Sequence, residues 1–322
     1  MSLDVQSALG ALTQFRQERP DTMDVALMTL VVFFDDVDVG AWARDRVRTF
    51  VSKDPARVIV LDGTQPERML FTHGDWVELG VDGTDPDTLQ SAVAALSLPQ
   101  TPVVLVWASA HIQDDARFAG LAPQAMTVVC NSSVIEGAES GLSALIAFAR
   151  AHPDVSISDL AYLRLIPWQE SIAFFFDGKN VVRELFDLRR VEISSGSKAE
   201  AYYLLGWLAS RLEWTMCSAT RFCNRFGTEI DFTLVHDGPP RRIRRIALNS
   251  SQTRFVAELR GEDPEVIALT VTGAARHPDR SHPINNVETA ALIERAILTG
   301  HKDRVFVDTL VAAGEILSRA GK

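Results

Sequence analysis

The chain has 322 residues, roughly twice what one hydrophobic core usually serves, so two packed domains are expected. With 47% hydrophobic and 23% charged residues it has the composition of an ordinary folded protein, which excludes a disordered or collagen-like chain. Its 32 Lys and Arg against 42 Asp and Glu give a net charge of −10, a field that repels phosphodiester backbones and excludes a general nucleic-acid binder.

Residues 1–6 carry no basic segment leading into an apolar stretch, so no secretory signal is expected there. The longest apolar run, Val25 to Phe34, is too short to cross a bilayer as a helix, and no membrane partner is expected. Three cysteines make no disulfide framework and fit a reducing compartment, so the expected location is the cytoplasm. Residues 26–34 read as a strand and 41–51 as a helix. Residues 57–61, 102–107 and 126–130 are unbroken apolar runs, the mark of strands covered on both faces of a parallel sheet. Helices are expected at 87–96 and 141–151, and a strand pair with an antiparallel edge at 69–81. The sum is an N-terminal open α/β, Rossmann-like domain over residues 1–155.

The pattern changes after residue 155. A helix is expected over 159–176, capped by Ser158 or Asp159 and kinked or split at Pro167. A second helix is expected from Ser197 or Lys198 to Trp214, with Ser195 to Lys198 forming the loop and cap before it. Strands at 229–236, 242–249, 254–260 and 266–272 with short connections suggest an antiparallel meander, and helices at 286–298 and 303–319 close the chain. Residues 156–322 thus read as an α+β domain with an antiparallel sheet.

The common catalytic signatures are missing: no Gly-x-Gly-x-x-Gly or Gly-x-x-x-x-Gly-Lys-Ser/Thr phosphate loop, no Gly-x-Ser-x-Gly, Cys-x-x-Cys or His-Glu-x-x-His. No catalytic, cofactor or metal residue is nominated. The seven histidines (His73, His111, His152, His236, His277, His282, His301) are scattered and read as surface residues. Arg241 to Arg245 is the densest positive run; on a strand Arg242 and Arg244 share a face that clamps a phosphate, with Ser195 and Lys198 nearby, or an acidic partner surface, or else forms a charged exposed edge. Cys217 and Cys223 are ordinary thiols or, if the chain turns back between them, a disulfide pair; along one helix they would stand about 9 Å apart. Cys130 reads as core.

Residues 159–177, DLAYLRLIPWQESIAFFFD, and 200–214, EAYYLLGWLASRLEW, closely resemble the two signature helices of the glucose-6-phosphate dehydrogenase assembly protein family, OpcA. The likeness extends more weakly over residues 54–61 and 98–107 and spans about residues 50 to 300. Tyr162 and Gln169 stand where the family more usually has Trp and Arg. The resemblance implies a non-catalytic bacterial protein that needs no cofactor. It would bind and allosterically activate glucose-6-phosphate dehydrogenase in the oxidative pentose phosphate pathway, in some relatives under thiol redox control, for which Cys217 and Cys223 are the candidate pair in this sequence. Within the helices, Trp168, Phe174, Phe175, Phe176, Trp207 and Trp214 are expected to join the two segments as core. Arg164, Glu170 and Arg211, set among apolar neighbours, are expected to form an Arg–carboxylate bridge between them or a partner-binding surface. The competing reading is a sugar-phosphate-binding enzyme or sensor that uses Arg242 and Arg244.

Overall fold

The computed structural model describes residues 5–18, 26–178, 181–240, 242–261, 266–274, 280–284, 289–298 and 303–320. They divide into two compact units: Met1–Glu136, Ala147–Leu160 and Ile293–His301 form one, and Gly137–Ile146, Ala161–Leu292 and Lys302–Lys322 the other. Among the described residues no helix is long and apolar enough to cross a membrane.

The elements in chain order begin with α1 (Val5–Glu18), β1 (Thr29–Phe34), α2 (Val37–Val51), β2 (Arg57–Pro66), β3 (Arg68–His73) and β4 (Trp76–Asp82). Then come α3 (Pro86–Leu96), β5 (Val103–Ala108), α4 (Ala116–Leu121), β6 (Thr127–Cys130), α5 (Ala138–Ala151) and β7 (Ser156–Asp159). Their sheet runs β3-β4-β2-β1-β5-β6-β7, with every pair parallel except β3 with β4. The six parallel strands have the doubly wound order, and the first strand lies at the point where the winding reverses. All six residues of β1 are buried, as an unbroken apolar run requires.

The chain continues with α6 (Leu160–Leu163), α7 (Ile166–Phe175), α8 (Val182–Phe186), β8 (Leu188–Gly196), α9 (Lys198–Arg211), β9 (Thr215–Ser218) and β10 (Arg221–Cys223). It ends with β11 (Glu229–Pro240), β12 (Ile243–Ser250), β13 (Thr253–Arg260), β14 (Val266–Gly273), β15 (Arg280–Pro283), α10 (Thr289–Leu298) and α11 (Arg304–Ala320). The eight-stranded sheet runs β15-β14-β13-β12-β8-β11-β10-β9. Within the second unit α7 lies on β13 and β14, α9 on β8, and α11 on α9. Enclosed on two sides, α9 buries ten of its residues, which explains why it is apolar around most of its circumference.

Ser158 and Asp159 end β7 immediately before α6, and Asp159, 1% exposed, accepts the Ser132 amide at 3.0 Å. Two expectations need correction. The break expected at Pro167 falls at residues 164–165, and Pro167 occupies the first turn of α7, where its missing N–H costs nothing. The meander is interrupted, because β8 lies between β11 and β12 and runs parallel to β11. A parallel pair needs a long crossover, which α9 and the β9–β10 hairpin supply; with Arg189, Arg190 and Glu192 in its middle, β8 lacked an apolar run that could announce it.

Candidate functional site

In doubly wound sheets ligands bind beyond the carboxyl ends of the strands, at the switch point. Here the chain leaves β1 through Phe33, Phe34, Asp35 and Asp36 and enters α2, whose first turn carries Asp38. Asp36 caps the helix by accepting the Val39 amide at 2.9 Å. Asp35 accepts the Ser109 hydroxyl at 2.8 Å and lies 3.9 Å from Arg117, which pairs with Asp115 at 2.7 Å and covers the Phe33 ring at 4.8 Å. Burial works against the Asp115 carboxylate, but its bonds to Arg117 outweigh it and hold the pKa below the ordinary value. Phe33 stacks on Trp107, its cross-strand neighbour on β5, at 4.2 Å.

Asp62, on β2 level with the end of β1, stands near where dinucleotide folds use an acid to hold the ribose. Its oxygens are already engaged: Arg44 reaches one at 2.6 Å, and the Thr64 amide and hydroxyl reach the other at 2.9 and 2.6 Å. A pyrophosphate at this helix terminus would meet Asp35, Asp36 and Asp38 where a phosphate loop offers bare amides. We therefore expect a fluorescence titration with NADPH to give no saturable binding to the native chain; saturation at micromolar cofactor would show that the crevice opens.

The family-motif residues lie in the second unit. Trp168, Ile172 and Phe175 line the buried face of α7 at 4%, 2% and 1% exposure, and Phe175 and Phe176 pack on Phe255 of β13. Ser197 caps α9 by accepting the Glu200 amide at 3.3 Å. Arg164, in the break between α6 and α7, donates through Nε to Glu200 Oε1 at 2.8 Å, and Glu200 is only 2% exposed. Glu170 is exposed and does not enter this bridge. Arg211 pairs instead with Asp308 of α11 at 2.6 Å, near the surface. Trp214 is buried and Trp207 only half-buried, because Trp207 projects from the part of α9 that the sheet and α11 leave uncovered; its truncation should cost less than that of a core tryptophan. Burial raises the Tyr162 phenol above its ordinary pKa, with Gln169 and Thr309 working against it.

Where β8 hands over to α9 an open pocket of about 230 Å³ is lined by Glu139, Ser195, Ser197, Lys198, Tyr202 and His236, among others. Lys198 and the Tyr202 hydroxyl both reach Glu139 Oε1, at 3.1 and 3.4 Å. Burial, then the neighbouring carboxylate, push the Tyr202 phenol up to about 12, so it stays protonated. Arg242 and Arg244 are absent from this lining: the Arg242 carbonyl accepts the Ser195 hydroxyl at 3.0 Å, and the exposed Arg244 pairs with Asp237 at 2.7 Å. Arg241, His277 and His301 lie outside the described residues. His111 lies 3.7 Å from Glu136, and His282 Nδ1 lies 3.1 Å from the Ser171 hydroxyl. Among the described residues no group of three or more His, Cys, Asp or Glu is placed to hold a metal. Cys217 and Cys223, on the antiparallel β9 and β10, form a disulfide with Cα atoms 5.8 Å apart, since a hairpin brings together what a continuous helix would separate. Cys130 is buried, and burial raises its thiol pKa well above the ordinary value.

Residues 155–310 match a family described as the C-terminal domain of the glucose-6-phosphate dehydrogenase subunit. Two curated cyanobacterial relatives carry the provisional name OxPP cycle protein OpcA. The one from Synechocystis is 31% identical over 135 residues, 41% of this chain and 28% of that protein. The one from Nostoc punctiforme is 29% identical over 164 residues, 50% of this chain and 34% of that protein. The match thus spans about a third or less of each relative's length. Among solved structures, a provisionally named oxidoreductase from Magnetospirillum magnetotacticum aligns with a TM-score of 0.52 at 12% identity, over 92% of this chain and 99% of its own. The transcriptional regulator Gal80p from Kluyveromyces lactis aligns at 0.51 and 9% identity, over 94% of each chain. At such identities the likeness shows the fold alone.

Proposed function

From the premise that residues 155–310 belong to the glucose-6-phosphate dehydrogenase assembly protein family, OpcA, we propose that the chain binds glucose-6-phosphate dehydrogenase and activates it without catalysing a reaction itself. The family match over these residues carries the reading. The acidic switch point of the first unit supports it, because Asp35, Asp36 and Asp38 disfavour the pyrophosphate that a hydride-transfer cofactor would place there. In this reading residues 1–155 are the scaffold domain, residues 156–322 the family domain, and the chain works in the cytoplasm. The sugar-phosphate reading is weaker, because Glu139 lies in the pocket and Arg242 and Arg244 do not line it.

The test is to mix the purified chain with the dehydrogenase from the same source and to follow co-elution and the substrate dependence of the rate. A shared elution peak and a raised kcat/KM are expected; two separate peaks with unchanged kinetics would defeat the proposal. Replacing Arg244 by Ser should leave the melting temperature unchanged, since its exposed pair with Asp237 contributes little. If that variant also activates fully, Arg244 belongs only to a charged edge.

The pair Cys217 and Cys223 is proposed as the redox element that the resemblance implies. Dithiothreitol should open the bond and change the degree of activation, and the chain with both cysteines replaced by Ser should activate equally under oxidising and reducing conditions. Activation of the native chain that ignores the thiol state would retire the idea.

A further inference from the structure

The pocket at the start of α9 is built entirely from the second unit, and its polar groups gather around one carboxylate. Glu139 Oε1 receives Lys198 Nζ at 3.1 Å and the Tyr202 hydroxyl at 3.4 Å, from two residues one turn apart on α9. Burial above all raises the Tyr202 phenol's pKa, so the hydroxyl stays the donor of that bond and its oxygen keeps an accepting lone pair. Among the described residues Glu139 Oε2 accepts no hydrogen bond and the His236 ring makes none, and Lys198 has used one of its three N–H donors. The buried part of the lining is fixed: Ser195 and Ser197 are 1% and 5% exposed, and the Ser195 hydroxyl oxygen accepts the Ser197 amide at 3.0 Å. Ala201, Leu234 and Val235 supply the apolar part.

The donors and acceptors left over select the class of ligand. Lys198 and Glu139 cancel in charge, so a phosphate or carboxylate attracted by one is repelled by the other, and an amine meets the reverse. A hydroxyl group both donates and accepts, and two on neighbouring carbons match this pair: one donates to Glu139 Oε2 while the other accepts from Lys198. The C–H face of such a molecule suits Leu234 and Val235, which offer no hydrogen bond from their side chains. Size sets a further limit. At about 230 Å³ the pocket has room for about eight waters of about 30 Å³ each, below the range of drug-sized sites and far below that of a dinucleotide.

We propose that this pocket binds a neutral polyhydroxylated ligand of monosaccharide size, with Glu139 accepting from one hydroxyl group and Lys198 donating to its neighbour. The Tyr202 oxygen and the His236 ring are placed to take further hydroxyl groups. The proposal goes beyond the functional reading above and stands apart from it, because the binding needs no dehydrogenase.

The test is an NMR titration of the full chain, following the Lys198 and Tyr202 amides, with D-glucose, D-fructose and myo-inositol as separate probes. At least one should give saturable shifts with a dissociation constant of about 1–10 mM, the range open to a small ligand that exchanges hydrogen bonds with water for hydrogen bonds with protein. Glu139→Ala should weaken that binding about tenfold, and Tyr202→Phe, which keeps the ring, about threefold. Glu139 is exposed and its replacement should leave the fold intact, so it alone decides should Tyr202→Phe fail to fold. No saturation with any of the three probes up to about 100 mM overturns the proposal, as does binding that Glu139→Ala leaves unchanged. Glucose 6-phosphate binding about tenfold more tightly than glucose would assign the pocket to an anion and overturn the neutral class. None of these results depends on whether the chain co-elutes with the dehydrogenase, so the two readings fail separately.

Discussion

Arg164→Ala is expected to lower the unfolding free energy by about 3–5 kcal/mol. Glu200 is 2% exposed in the first turn of α9, and its Oε1 receives Arg164 Nε at 2.8 Å. Truncating the arginine leaves a carboxylate where water scarcely reaches, and the desolvation already incurred on folding is no longer offset by the ion pair. The amide ends at the start of α9 favour negative charge there, but only by about 0.3–1 kcal/mol, too little to compensate. Urea unfolding should show a lower midpoint at an unchanged slope. Replacing both residues by Met should recover most of the loss, because an apolar pair of similar volume carries no stranded charge. A single variant within about 1 kcal/mol of the native chain, the ordinary size of a surface pair, would show that the bridge is solvated.

Gly206→Ala is expected to destabilise the second unit although it improves helix propensity. In the middle of α9 the exchange should gain about 1 kcal/mol from propensity. A Cβ at 206 would lie 2.8 Å from the Thr309 carbonyl oxygen and 2.9 Å from the Ala313 amide nitrogen, both backbone atoms of α11 that cannot rotate aside. The helices must separate, which loosens Phe306 from Tyr203 and Tyr162, now at 5.8 and 4.7 Å. Overpacking of this kind costs about 1–3 kcal/mol, so the net effect should be a lower melting temperature, and Gly206→Leu should lower it further. A Gly206→Ala protein that melts at or above the native temperature would mean that α11 shifts freely.

Much of the first unit was readable because its signals are local. The apolar runs at 57–61, 102–107 and 126–130 could only be strands covered on both faces, and the missing glycines after residue 34 already argued against a phosphate loop. The aromatic density of residues 159–177 and 200–214 marked the two helices before any packing was known. Residue types did not reveal what meets at the switch point: Arg44, Phe33, Trp107 and Arg117 are ordinary residues in the sequence and acquire meaning only when two strands and two helices bring them together.

The sequence by itself determined that this protein is an acidic chain with an open α/β sheet followed by strands and helices, because periodicity, turn residues and charge act over a few neighbouring positions. The tertiary structure decided the rest: that β8 separates β11 from β12, that Glu200 answers Arg164 while Glu170 stays in solvent, that Trp168 is buried and Trp207 half-exposed, and that a hairpin joins Cys217 to Cys223. Each of these depends on contacts between segments distant along the chain or on which face another element covers, and no local pattern of residue types records which distant partner a face will meet.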